Sequence, residues 1–168
     1  ESGDATKAVP LALARRPREG MTTEDLSLVL GFSSDEVFRA VETSAGVETI
    51  GEIHAVAGGV AAARDRLLEA LERRAAERPE SPELSVAEAR TATGLSLPLA
   101  DALLGEMESE AVTLTDKGVS LKNVNRVPPE LEREAEQLLE DLRAAGPQAP
   151  TAELTPAMRL LVKRGDAV

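Results

Sequence analysis

A succession of one helix, two shorter helices and two brief β segments occurs twice in this chain and starts a third time. In the first copy the shorter helices are TTEDLSLVL at 22–30 and SDEVFRAVET at 34–43, followed by VETIGEIHAV at 47–56. In the second they are SVAEARTAT at 85–93 and LPLADALLGEMESEA at 97–111, followed by VTLTDKGVSL at 112–121. A two-residue turn between short β runs, directly after a helix-turn-helix, builds a wing, and Gly51-Glu52 and Lys117-Gly118 stand where such turns belong. The spacing predicts a mainly α chain with short β wings, an α+β array of tandem winged helices. The units fall at 1–60 and 61–125, with a partial or shortened third at 126–168. That period divides 168 residues better than one large domain does.

Within the first unit, Ala5–Arg16 reads as the opening helix, with Val9, Leu11 and Leu13 apolar and Pro10 acceptable only near its start. Thr22 and Asp25 have capping-box spacing. Leu26, Val29 and Leu30 then repeat at i, i+3 and i+4, as do Val37, Phe38 and Val41 after a Ser33 or Ser34 cap. Phe32 and Phe38, the only aromatic residues, are expected in this core. The helix at 34–43 holds the recognition position of a helix-turn-helix, yet its exposed set would be Asp35, Glu36, Arg39 and Glu42.

The second unit opens with a long helix at 61–78, with Leu67, Leu68 and Leu71 on one face and an arginine-rich remainder held by i, i+4 pairs such as Glu69 with Arg73. Val86 and Ala89 take the apolar positions of the next helix, and Leu99, Leu103, Leu104 and Met107 those of the third. After a junction at 123–129 a helix over 130–145 buries Leu131, Ala135, Leu138, Leu139 and Leu142. The middle helix of this third copy shrinks to about 151–154, and Thr155 caps a last helix ending at Gly165 before a strand cut off at Val168. Starting at Glu1 and stopping there, the chain reads as a fragment of something larger.

The net charge of −11 opposes the commonest use of winged helices, because duplex binding draws its non-specific affinity from Lys and Arg on phosphates. Residues 1–60 carry ten acids and five bases, 61–124 twelve and eight, and 125–168 eight and six, so the last segment is least hostile to nucleic acid. The nucleic-acid-binding candidates are accordingly Lys117, Lys122, Arg126, Arg159, Lys163 and Arg164. Lys163 and Arg164 also suit a helix C-terminus through the macrodipole, and no aromatic residue in that third is available to stack an RNA base.

Other chemistries lack their parts. The chain has no Cys, which rules out a disulfide framework or thiolate metal site, and a lone His54 builds no zinc site and is expected to be structural. No phosphate-binding or dinucleotide glycine loop is present, and the frequent acids have no nucleophile or base beside them, so no cofactor, metal or catalytic residue is assigned. With neither a membrane-length apolar run nor a signal peptide, a cytoplasmic monomer is expected.

Taken in order, EGMTTEDLSLVLGFSSDEVFRAV, ARDRLLEALERRAAERP, SVAEARTATGLSLPLADALLGEMESEAVTLTDKGVSL and the long acidic helix leading through a Pro-containing loop to MRLLVKRGDAV resemble one family. They are similar to the C-terminal winged-helix region of bacterial selenocysteine-specific elongation factor SelB. The resemblance implies a non-enzymatic arm joining a GTPase body to the domain that grips the mRNA selenocysteine-insertion hairpin during UGA recoding. Ribosome and selenocysteinyl-tRNA would be reached through the parent protein. Two other readings stand beside it. A DNA-binding transcriptional regulator would need basic recognition helices, and a protein-interaction module of the chromosome-condensation type would need an exposed apolar patch.

Overall fold

Side-chain caps decide where most of the helices begin. In the computed structural model, which describes residues 4–108, 110–122, 127–145 and 154–166, the elements follow in one series. They are α1 (Ala5–Ala14), β1 (Met21–Thr22), α2 (Thr23–Leu30), α3 (Ser34–Thr43), β2 (Val47–Ile50), β3 (Ile53–Val56) and α4 (Ala57–Glu77). Then come α5 (Val86–Thr93), α6 (Leu97–Glu108), β4 (Val112–Thr115), β5 (Gly118–Leu121), α7 (Pro129–Ala145) and α8 (Pro156–Arg164). Thr22 with Asp25, Ser33 with Glu36 and Ser85 with Glu88 form complete capping boxes, each cap contributing about 1 kcal/mol. Gly31 and Gly94 end α2 and α5 in left-handed conformation, so the two copies share their punctuation.

Among the described residues the chain is mainly helical with two small antiparallel sheets. The first sheet has the order β1-β3-β2, with Ile50 opposite Ile53 across the Gly51-Glu52 turn. β4 and β5 make the second, and Leu84 bridges Val119 of β5 in the place where β1 meets β3. The third strand, formed by residues just before each short helix, has no signature in hydrophobic alternation because it is only one or two residues long.

Three buried clusters hold these elements. Val9, Leu13, Met21, Leu26, Val37, Ala40 and Val41 form the first. The second is twice as large, runs from Val60 to Val119, and also takes Ile50 and Ala55 from the first hairpin, so packing is continuous across residue 60. Leu131 and Ala135 meet Ala157, Leu160 and Leu161 in the third, with Leu138, Leu139 and Leu142 half-buried beside them. No helix among the described residues is long and apolar enough to cross a membrane.

Several expectations are corrected. α1 ends at Ala14, carries Pro10 inside it, and exposes Leu11, because residues 9, 11 and 13 cannot share one helical face. Phe38 is 53% exposed: the buried stripe of α3 is Val37, Ala40 and Val41, and Phe38 lies about 100° away from Val37. Val29 is also exposed, since α2 turns Leu26 inward and packs on its Leu30 side. α4 starts at Ala57 rather than residue 61, running directly out of β3, and Leu68 is half-buried. α6 stops at Glu108 and α7 starts at Pro129.

The second turn is Asp116-Lys117 rather than Lys117-Gly118. Gly118 opens β5 at φ 142°, where a Cβ would collide with the Leu84 carbonyl oxygen, so glycine is required by the neighbouring backbone and not by the turn. The shortened middle helix at 151–154, the start of the junction at 123–126 and the strand at Val168 fall largely or wholly outside the described residues, Leu154 alone being seen and exposed.

Candidate nucleic-acid interface

The six candidate cations trace the second hairpin, the junction after it and α8. Lys117 is exposed at the hairpin turn, and Lys122 follows β5 with its backbone N–H donating to the Ala111 carbonyl at 3.0 Å. Arg126 lies outside the described residues. Arg159, Lys163 and Arg164 stand on α8, where the Thr155 cap and Gly165 stop fix the helix ends.

All three α8 cations point at acids of the same chain. Lys163 Nζ donates to the Glu80 carbonyl, Ser81 Oγ and Glu83 Oε1, each at 3.1 Å. Arg159 Nε lies 3.0 Å from Glu80 Oε1 as a charge contact without an aligned hydrogen bond, and Arg164 pairs with Glu132 at 3.0 Å. Glu80 is 4% exposed, and its Oε2 finds no partner among the described residues. Burial opposes ionisation of Glu83, but its own backbone hydrogen bond and Lys163 outweigh that and hold its carboxyl below the ordinary range. The loop PESPE at 79–83, featureless as a sequence, is therefore the dock for α8; only its acids spaced around two prolines hinted at a role.

Lys117 and Lys163 share a cleft of about 390 Å³ with Glu80, Glu83, Asp116 and Ser120. A phosphate entering it would meet two lysines and three carboxylates, a balance that gives little net attraction. The recognition-position helices are no more inviting. On α3, Asp35, Glu36, Arg39 and Glu42 are exposed, and the Ser33 hydroxyl, with its backbone N–H, holds the Glu36 carboxyl low. On α6, Asp101 binds Arg90 and Glu106 binds Arg64.

Three arginines of α4 serve as ties between elements, and no Glu69–Arg73 pair occurs among the described residues. Arg64 Nη2 reaches Glu48 on β2 and Glu106 on α6, both at 2.7 Å, joining the first hairpin to the second unit. Arg66 donates to the Thr93 carbonyl and Arg74 to Glu88. Ser96 adds a backbone bond to the Arg18 carbonyl at 2.7 Å. His54 is buried between two hydroxyls, Thr23 at 2.8 Å from Nε2 and Thr49 at 2.9 Å from Nδ1, and burial lowers its pKa. No group of three metal-ligating side chains occurs among the described residues.

The first unit exposes apolar side chains that spacing alone did not disclose. Leu11, Leu28, Val29 and Phe38 are all more than half exposed, and a groove of about 410 Å³ runs between α1 and α2, lined by Ala8, Leu11, Ala12, Val29 and Leu30 with Arg15 and Arg16 at one end. Compared with known proteins, the chain matches no protein-family model and no curated sequence.

Proposed function

We propose that this chain is a tandem winged-helix arm of a selenocysteine-specific elongation factor, carrying the mRNA-binding end of the molecule at a set distance from a GTPase body in the cytoplasm. The observation that carries the reading is the pairing of the repeat with the fate of its cations. Two successive units are joined without a linker through α4, and the basic side chains of the last helix are engaged by acids of the same chain. A spacer beside ribosomal RNA benefits from such neutralised, net-acidic surface, since it gains little from phosphates it passes. Enzymatic chemistry would belong to the parent protein. The reading is tested by fluorescence anisotropy against a labelled UGA-containing selenocysteine-insertion hairpin and a generic duplex DNA, at low and physiological salt. The expected result is no salt-resistant binding to either; hairpin-selective binding that survives salt would overturn the spacer role.

The protein-interaction reading gains support from one feature, the groove where exposed Leu11 and Val29 lie together with Ala8, Ala12 and Leu30. The regulator reading finds no such support, because the exposed charges of α3 are three acids and one arginine.

A further inference from the structure

α1 is apolar on two sides. Val9 and Leu13 are wholly buried in the first core, while Ala8, Leu11 and Ala12 line the open groove. A helix that is apolar around most of its circumference is normally covered, yet Leu11 remains 65% exposed.

The outward stripe reads Asp4, Ala8, Leu11, Arg15, spaced by four, three and four residues along the helix. Reversed, it is its own complement: acid against base at each end, small against large in the middle. Arg15 forms no ion pair among the described residues. Asp4 caps α1 by accepting the Thr6 N–H on Oδ1 at 3.1 Å, and its Oδ2 has Lys7 at 3.4 Å between exposed side chains, an ion pair that exchanges readily and leaves the cap in place. In a chain of net charge −11, two copies repel unless the meeting faces supply their own cations, and this face does.

We propose that the groove is filled by α1 of a second copy of this chain, packed antiparallel about a twofold axis midway between Ala8 and Leu11. Each Leu11 then rests on Ala8 of the other copy and reaches toward its Val29, and each Asp4 meets the opposite Arg15. A ten-residue helix rises about 15 Å, so the contact sits at the small end of specific interfaces and dissociates in the micromolar range or above. The pairing replaces the expectation of a monomer. It does not rest on the arm reading, which is decided by RNA binding.

Sedimentation equilibrium of the whole 168-residue chain over a wide concentration range tests it. The dimer should appear with rising concentration, and Leu11→Glu should weaken it by at least about tenfold while leaving the circular dichroism unchanged. Because the chain has no cysteine, introduced thiols report position without background. A mixture of Ala8→Cys and Leu11→Cys chains should cross-link faster under oxidation than a mixture of Ala8→Cys and Ala14→Cys chains, and this decides the matter if Leu11→Glu misfolds. A monomer at every concentration, a dimer indifferent to Leu11→Glu, or equal cross-linking of the two mixtures would each overturn the proposal. The first of these outcomes would leave the groove to a helix of another protein.

Discussion

The first and second units repeat one order of elements but close their cores differently. In the first, seven buried residues form the cluster and the opening helix α1 keeps Leu11 in the open. In the second the cluster holds fourteen: twelve from α4 to β5, and Ile50 and Ala55 collected from the preceding hairpin, under which α4 packs. The outward sides of the two opening helices differ in kind. α1 presents Ala8, Leu11 and Ala12, while α4 presents Arg64, Arg66 and Arg74, each bonded to another element. A repeat thus sets local structure, whereas the extent of the core depends on what its neighbour contributes.

The sharpest break of that comparison is a pair of truncations. Leu67→Ala, in the centre of the larger core, should cost about 2–5 kcal/mol in urea denaturation, while Leu28→Ala, at 83% exposure in the first unit, should stay within about 0.5 kcal/mol. Equal losses would show that Leu28, which does not line the groove between α1 and α2, is covered in solution. Next come the hairpin glycines. Gly51→Ala meets open space and should cost about 1 kcal/mol for its left-handed backbone alone. Gly118→Ala, pressed on the Leu84 backbone, should cost about 2–3 kcal/mol, and a thermal scan that ranked them in reverse would remove the structural role given to that contact.

The smallest effect is a difference in acid response. Burial depresses the folded-state pKa of His54 below its ordinary 6.5, so the folded state prefers the neutral ring. The stabilisation is complete above that value and falls as the pH drops through it toward the folded pKa. In the second unit the Ser85 hydroxyl and N–H, aided by Arg74, pull Glu88 down to about 2 from 4.5. That contribution is present above pH 4.5 and is lost only between there and about 2, and solvent exposure of the carboxylate keeps it small. Stability measured against pH should therefore fall first below pH 6.5, where the preference for a neutral His54 ring begins to cost stability, and His54→Gln should remove that step alone.

Local rules carried much of this fold on their own. Thr22–Asp25 and the serine cap before α3 act within three residues, which is why they could be read directly; the Ser33–Glu36 and Ser85–Glu88 boxes obey the same local rule but were not singled out in the sequence. The aliphatic positions of α6 were equally legible, because four of its large side chains fit one stripe. What failed was decided at a distance. Periodicity marked Val29 and Phe38 as apolar but could not say which flank of each helix meets a neighbour. Gly118 looked like a turn residue until the Leu84 backbone stood beside it. The basic residues of α8 were visible as charge, while their acids at 80, 83 and 132 lie 30 to 80 residues away along the chain.

The direct passage from β3 into α4 makes the junction at Val56 and Ala57 an angular coordinate. An α-helix advances about 100° per residue, so one residue inserted there would rotate everything downstream by nearly a third of a turn, whereas the same insertion in an ordinary loop would be absorbed. Twenty-one residues of helix also make a rod of about 30 Å, and a tilt of roughly 10° at its root displaces the far end by about 5 Å. The phase between the two units is thus written into the residue count of a single helix. Length at this joint can change only by breaking that phase, together with the Arg64 ties that lock it.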